Sequence, residues 1–376
     1  MLVQSPVAGD SRVLREATAL VAAGHAVHIV GRDVPADLTP PHGVTVESVG
    51  ATRGLRPGSS RPARDPLPIR VARWMLLPEH RSRVERAWTR AAAKHVAKRL
   101  RADVIHAHDF NTLQLGAGLA DRWDARLIYD AHELWFGRAL PGRPTPVGRR
   151  RGAALERRLA ARAQAVLVVS EAIANRMRAS GLPDVRVVRN TFTLDTRTPD
   201  QPIRSPSGVV YAGRIGAGRD LETVRTAARR LVPFQTVLVG SLEPGYAVPA
   251  VDGLSVLPST SLEGVDRIYR ELGIAVVPLS DRCDNHRLAL PNKLFHAVRA
   301  GVPVVAADLP AIRELMTEHH LGTLFRPGDP GSLVDAVHEL VASYPRHLEA
   351  VRAARLDLNW AVDARVLVKA YEDLVQ

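Results

Sequence analysis

The sequence predicts an α/β protein made of two doubly wound, Rossmann-like halves that face each other across a cleft. Three observations predict it. At 376 residues the chain exceeds what one hydrophobic core usually organises. In each half, short apolar runs alternate with stretches of helical periodicity, the pattern of repeated βαβ units and a parallel sheet. Between the two series, from Asp195 to Gly208, proline, charge and small polar residues collect as they do in linkers.

The expected strands of the first half are Leu2 to Ser5, Ala26 to Val30, Val44 to Ser48, Val104 to His106, Arg126 to Tyr129, Ala165 to Val169 and Val185 to Val188. Apolar residues at helical spacing mark helices near Val13 to Ala23, Arg83 to Leu100, Thr112 to Trp123, Ala153 to Ala163 and Glu171 to Ser180, the last capped by Ser170. The second half repeats the alternation. Its strands are expected at Val209 to Ala212, Thr236 to Val239, Leu254 to Leu257, Ile274 to Pro278, Val304 to Ala306 and Thr323 to Phe325. Its helices are expected near Leu221 to Leu231, Leu262 to Glu271, Asn292 to Ala300, Ala311 to Thr317 and Pro330 to Ser343. This gives a first domain over 1–193, a linker over 194–208, a second domain over 209–355, and a C-terminal helix within 356–376 that packs back on the first domain. Doubly wound sheets bind ligands outside the carboxyl ends of their strands, which places candidate sites in the strand-to-helix turns.

Composition narrows the function classes. No apolar run approaches the roughly 20 residues of a membrane-spanning helix, and the start lacks the order of a secretory signal. A single cysteine, Cys283, excludes an internal disulfide framework. The expected location is cytoplasmic. The net charge of +12 rests almost wholly on arginine, because lysine occurs only as Lys94, Lys98, Lys293 and Lys369. So basic a surface attracts polyanions, including phosphorylated substrates, anionic lipid and, without specificity, nucleic acid. From Thr52 to Arg101 the alternation lapses; Leu67, Ile69, Val71, Trp74, Met75, Leu76 and Leu77 form an apolar-aromatic stretch among arginines. It fits either a helix buried against the sheet or a peripheral contact with the inner face of a membrane. A second basic cluster, Arg138 to Arg162, reads as a loop and a solvated helix face.

The densest candidate chemistry lies in the second half. Tyr211, Ala212, Gly213 and Arg214 end a strand and lead through a glycine-containing turn to Arg219 and Asp220. Small residues let backbone approach a ligand, and guanidinium groups hold a diphosphate by charge-assisted bonds. Further on, Leu290, Pro291, Asn292, Lys293, Leu294, Phe295 and His296 open a helix whose first turn carries a lysine and whose N-terminus favours an anion. Cys283 and His286 have a ligand-like separation, but one such pair does not make a zinc site. No metal site is expected.

These segments, taken in order, resemble the family-4 retaining glycosyltransferases of the GT-B fold. The resemblance runs over nearly the whole chain. Besides the two segments above it includes Asp10 to Val13, Ala23 to Val27, Asp103 to Asp109, Tyr129 to Glu133, Val168 to Glu171 and Val187 to Asn190. It implies a transferase acting on a nucleotide-sugar, UDP- ahead of GDP-, with no bound cofactor and an acceptor hydroxyl of unknown identity. Arg214 and Arg219 would contact the donor diphosphate, with Gly213, Lys293 and Asn292 beside it. His108 matches the histidine that approaches the transferred sugar. Asp10 and Arg12 border the acceptor, and His132 and Glu133 stand on the same face. Many relatives carry two glutamates eight positions apart where this chain has Leu288 and His296. His296 can still meet a ribose hydroxyl, Leu290 lies within the same segment, and Asp284 or Asn285 would take over the sugar contact. A nucleotide-sugar epimerase or phosphorylase on the same scaffold, and a basic binding protein with weakened catalysis, are the alternatives the residues leave open.

Overall fold

The computed structural model describes residues 1–50, 68, 83–99, 101–139, 146–182, 184–194 and 205–375. The apolar-aromatic stretch with Trp74 and Leu77, most of the expected linker and part of the second basic cluster lie outside the described residues. The chain divides into two compact units, Met1–Val188 with Ala364–Gln376, and Arg189–Asp363. The boundary falls earlier than the expected 193 for a local reason. Arg189 binds Asp363 through its backbone N–H (3.1 Å) and its guanidinium (3.0 Å), and the Thr191 hydroxyl donates to the same carboxylate at 2.6 Å. Residues 189–193 therefore fold with the second unit.

In the first unit, β1 (Val27–Gly31) pairs with β2 (Val44–Ser48), and β3 (Val104–His108), β4 (Arg126–Ala131), β5 (Ala165–Val168) and β6 (Val185–Val187) pair in that order, all parallel. Leu2 bridges Val30 of β1 and Ala107 of β3 and so joins the two groups. The N-terminal residues thus form a very short central strand. The helices are α1 (Ser11–Ala22), α2 (Arg83–Arg99), α3 (Phe110–Trp123), α4 (Pro146–Ala160) and α5 (Glu171–Ala179). The capping expected of Ser170 is present: its hydroxyl accepts from the Ile173 N–H at 3.2 Å.

The second unit carries β7 (Gly208–Ala212), β8 (Gln235–Val239), β9 (Leu254–Leu257), β10 (Gly273–Val277), β11 (Val304–Ala307) and β12 (Gly322–Phe325) in one parallel sheet. Its order is β9-β8-β7-β10-β11-β12, that of a dinucleotide-type Rossmann sheet. β7 and β10 are buried at every position, because helices cover both faces of a parallel sheet. Those helices are α6 (Leu221–Leu231), α7 (Leu262–Leu272), α8 (Asp284–Leu288), α9 (Asn292–Ala300), α10 (Pro310–Glu318), α11 (Pro330–Ala342) and α12 (Tyr344–Ala354). The last helix, α13 (Trp360–Val375), returns the chain to the first unit. Among the described residues no helix is long and apolar enough to cross a membrane.

Strand order reverses beside Leu2 in the first unit and between β7 and β10 in the second, and these switch points are where doubly wound sheets place ligands. Both carry backbone in the left-handed region. Val7 (φ 63°) and Asp109 (φ 62°) flank the first; Gly213 (φ 145°), Gly218 (φ 83°) and Asp220 (φ 53°) flank the second. For a β-branched residue such as Val7 this conformation is a true outlier, and strain of this kind concentrates at functional sites.

Candidate active site

In the second unit the turn after β7 is shaped by Gly213, whose N–H donates to Val239 O at 2.8 Å. A Cβ on Gly213 would stand 2.6 Å from Cε of Lys293, so the absence of a side chain is what lets the lysine lie against the turn. Lys293, in the first turn of α9, holds its Nζ 5.1 Å from the centroid of the Tyr211 ring. The Tyr211 hydroxyl donates to Arg214 O at 2.5 Å and fastens the same turn. Asp220 fixes its far end by accepting from the Gly328 N–H (2.9 Å) and the Thr223 hydroxyl (2.8 Å).

Burial, and then the charge of Arg219, lower the Lys293 pKa to about 8. Two cations therefore share a partly buried place at a switch point. Among the described residues neither has a hydrogen-bond or ion-pair partner. Arg214 is 66% exposed and lies 3.8 Å from Glu243 at its nearest approach.

The remaining donor-side residues divide. Asn292 accepts from the Asn190 side-chain amide at 2.9 Å. Leu290 is buried, and Asp284 and Asn285, at the start of the short helix α8, are partly exposed and engaged within the protein. His296 sits one turn after Asn292 on α9, between the rings of Phe192 and Tyr269 at 5.1 and 5.5 Å, with Nε2 3.1 Å from Asp266 Oδ1. Asp266 is itself buried and also holds Arg299. Sequence reasoning missed it. The signal was a carboxylate on the apolar face of α7, one residue after Val265 and three before Tyr269.

In the first unit the predicted residues gather around a carboxylate that sequence reasoning also missed, Asp130. Arg12 holds both of its oxygens in a bidentate contact (Nε to Oδ2 2.9 Å, Nη2 to Oδ1 2.7 Å) and donates to Val188 O at 2.8 Å. Asp130 Oδ2 also faces three histidines, His108 Nδ1 at 3.1 Å, His132 Nε2 at 2.9 Å and His106 Nε2 at 3.8 Å. Asp10 caps α1, accepting from the Val13 N–H at 3.3 Å, and Glu133 pairs with Arg138 at 2.7 Å. Arg12 is fully engaged within the protein and buried, so its placement makes it a scaffold for this cluster. His106, two residues before His108, stacks on it with centroids 4.3 Å apart and receives or gives a hydrogen bond at Tyr371 Oη, 2.8 Å from its Nδ1.

Charge in this cluster is shared out by position. Burial would push the Asp130 carboxyl up, but Arg12 and then His132 outweigh it and hold it well below the usual carboxylate range. Glu16, whose Oε1 lies 2.9 Å from Arg12 Nε, is raised by burial to about 8, so one proton stays on this carboxyl pair at neutral pH. Burial opposes a charge on His132, yet Asp109 and Asp130 prevail and raise its pKa to about 10. Burial and the neighbouring His106 keep His108 neutral, well below its ordinary value. His108 Nδ1 faces both Asp130 Oδ2 (3.1 Å) and His132 Nε2 (3.0 Å), while its Nε2 is buried and has no hydrogen-bond partner among the described residues. Donor atoms of Glu16, His106, His108 and Asp130 lie within 4.8 Å of one another, close enough to chelate a cation. Arg12 already supplies positive charge to both carboxyls there.

Comparison with known proteins gives these two sites a context. Residues 9–191 match the glycosyl transferase 4-like domain, and residues 206–343 match the glycosyl transferases group 1 family. The chain is 27% identical over 301 residues to a D-inositol 3-phosphate glycosyltransferase of Xylanimonas cellulosilytica, spanning 72% of this chain and 71% of that one. It is 24% identical to a glycogen synthase of Mycobacterium tuberculosis over 94% of this chain and 88% of that one. Among solved structures, sucrose-phosphate synthase from Thermosynechococcus elongatus superposes with a TM-score of 0.72 at 17% identity, covering 100% of this chain and 98% of that one. Anabaena HepE in complex with UDP superposes with a TM-score of 0.66 at 15% identity, covering 100% and 97%. With two Rossmann-type sheets, both family matches in order and cationic and histidine-rich residues at the two switch points, the chain belongs to the family-4 type of GT-B glycosyltransferases.

Proposed function

We propose that the protein is a retaining transferase that moves a sugar from a nucleoside diphosphate sugar, UDP- ahead of GDP-, to an acceptor hydroxyl without a metal ion. The observation that carries the reading is the pair Arg219 and Lys293, two cations without anionic partners at the β7/β10 switch point. A diphosphate supplies the missing charge. HepE, which shares the fold, has been solved with UDP and with UDP-glucose, which supports the same donor class here.

In this reading the bond from the anomeric carbon to the diphosphate oxygen breaks while a bond from the acceptor oxygen forms on the same face of the sugar. The acceptor proton passes to the departing phosphate, and the nucleoside diphosphate leaves. Arg219 and Lys293, with Arg214 at the rim, stabilise the negative charge that grows on the leaving group, the place a metal would otherwise fill. His108 is assigned to the sugar. Its buried, unpartnered Nε2, held in one orientation by Asp130, is a polar atom kept ready for a hydroxyl. His296, oriented by Asp266, is assigned to the ribose.

The test is a thermal-shift screen of UDP, GDP, ADP and TDP, followed by titration of the tightest binder into Arg219→Ala. Loss of about 1.5–3 kcal/mol of binding is expected, the range for hydrogen bonds to charged groups. Unchanged affinity in a folded variant would remove Arg219 from the donor site.

A further inference from the structure

His108 and Asp130 stand opposite each other where β3 and β4 end, a register pair of neighbouring parallel strands. His132 follows two residues after Asp130, so alternation returns its side chain to the face of the sheet that carries both. Three atoms meet there. Asp130 Oδ2 lies 2.9 Å from His132 Nε2 and 3.1 Å from His108 Nδ1, and the two nitrogens are 3.0 Å apart. All three separations are those of hydrogen bonds, yet the carboxylate oxygen can only accept, so the hydrogens between them must come from the two rings.

Two ring nitrogens this close cannot both turn an N–H toward the same point: one carries the hydrogen and the other presents its lone pair. The acceptor capacity of Asp130 decides which. Oδ2 has two lone pairs; Arg12 Nε takes one at 2.9 Å and His132 Nε2, also at 2.9 Å, the other, which leaves none for His108 Nδ1 at 3.1 Å. The surroundings of the two rings agree. His132 has a carboxylate at each nitrogen, Asp130 at Nε2 and Asp109 Oδ2 3.6 Å from Nδ1, and its backbone N–H holds Asp109 by a bond of 3.2 Å to Oδ1. Among the described residues His108 has only Asp130 within ion-pair distance; it stacks on His106 and leaves Nε2 buried without a partner. Burial opposes a charge on both rings, but only His132 has the anions to overcome it.

We infer that the shared hydrogen sits on His132 Nε2, which donates to Asp130 Oδ2 and His108 Nδ1 together and so fixes His108 as the tautomer with its hydrogen on Nε2. His132 is thereby a positioning residue. Its effect on turnover rests on the transfer reading proposed above. There the Nε2–H of His108 donates to a sugar oxygen, and its one lone pair, already bound to His132, cannot take a proton from the acceptor. That proton goes to the departing phosphate. The opposite arrangement, with the hydrogen on His108 Nδ1, would aim a bare lone pair at the sugar and make His108 a base.

Nitrogen NMR spectra of the imidazole rings at neutral pH, with the His108 signals assigned by their loss in His108→Ala, read the tautomer without donor or acceptor. In the wild type His108 is expected to show a protonated Nε2 and a bare Nδ1. His132→Leu removes the hydrogen that His108 Nδ1 accepts and frees a lone pair of Asp130. The His108 hydrogen should then move to Nδ1, and turnover should fall by about 100-fold, the loss of one preorganised donor, with donor affinity within a few-fold. His132→Gln, whose amide brings an N–H toward the same point, should keep the hydrogen on His108 Nε2 and recover most of that turnover. A protonated Nδ1 on His108 in the wild type overturns the proposal, as does a tautomer or a turnover that His132→Leu leaves unchanged. A wild type with the expected tautomer that transfers no sugar would count against the proposed reaction and not against the place of the hydrogen.

Discussion

Lys293 offers a perturbation in which function and stability move in opposite directions. An ammonium held at about 8 against an ordinary 10.5 is one the folded state would rather discharge, a cost of about 3 kcal/mol at neutral pH if water is wholly excluded. Lys293 keeps part of its surface in solvent, which lowers that figure to about 1–2 kcal/mol. Lys293→Met keeps the stem that packs on Gly213 and removes the charge. The unliganded variant should therefore unfold at a Tm about 2–8 °C higher, taking ~2–4 °C per kcal/mol for a unit of this size. Its affinity for UDP should fall by about 1.5–3 kcal/mol. The pH dependence carries the same sign. In the wild type, stability rises as pH climbs from 8 toward 10.5, because the unfolded chain still binds a proton there that the native state has released. Diphosphate affinity falls over the same approach, by about ten-fold between pH 7 and 9, and Lys293→Arg should abolish that fall because a guanidinium does not titrate in the range. Differential scanning calorimetry and isothermal titration on the same preparations read both quantities. A destabilised Lys293→Met with normal UDP affinity would refute the reasoning, since it would make the lysine a packing residue and nothing more.

The first unit yields two further expectations. His108→Ala should lower turnover by ~100-fold or more while donor affinity stays within a few-fold; His106→Ala, measured in parallel, should lose stability more than turnover, and the reverse ranking would exchange their roles. Asp130→Asn removes the carboxylate that Arg12, His108 and His132 share, and should cost about 3–5 kcal/mol of stability. His132, raised to about 10 in the native state, gives stability that is complete below pH 6.5 and is lost as pH rises through 10. Its imidazole resonances should therefore stay those of the cation past pH 8 in the wild type and move toward ordinary titration in Asp130→Asn. Titration near 6.5 in the wild type would show that Asp109 and Asp130 do not hold its proton.

The periodicity of the apolar runs marked the architecture because a parallel sheet covered on both faces leaves little choice of residue. The expected strands Val44 to Ser48 and Leu254 to Leu257 and the expected helices Leu221 to Leu231 and Asn292 to Ala300 match the observed bounds. The expected strand Leu2 to Ser5 shrank to a bridge at Leu2, since Pro6 and the left-handed Val7 end it early. Helix α12 went unmarked because it abuts α11 at Ser343, with no glycine or loop to signal a second start. At the sites, motifs pointed to residues at strand ends but not to what holds them. Asp130, Glu16 and Asp266 come from other elements or from positions that alternation assigns to the interior, and only the folded chain shows them against Arg12, His108 and His296. Arg12 is the clearest instance. The resemblance placed it at the acceptor's border; in the fold it is buried between two carboxyls.

The central claim is that Arg219 and Lys293 hold the diphosphate of the donor, and a crystal structure with the tightest-binding nucleoside diphosphate tests it most directly. Phosphate oxygens are expected within hydrogen-bond distance, about 2.7–2.9 Å, of both the Arg219 guanidinium and Lys293 Nζ, with the backbone of Gly213 close beside them. A diphosphate bound elsewhere, with those two cations still unpartnered, would contradict it.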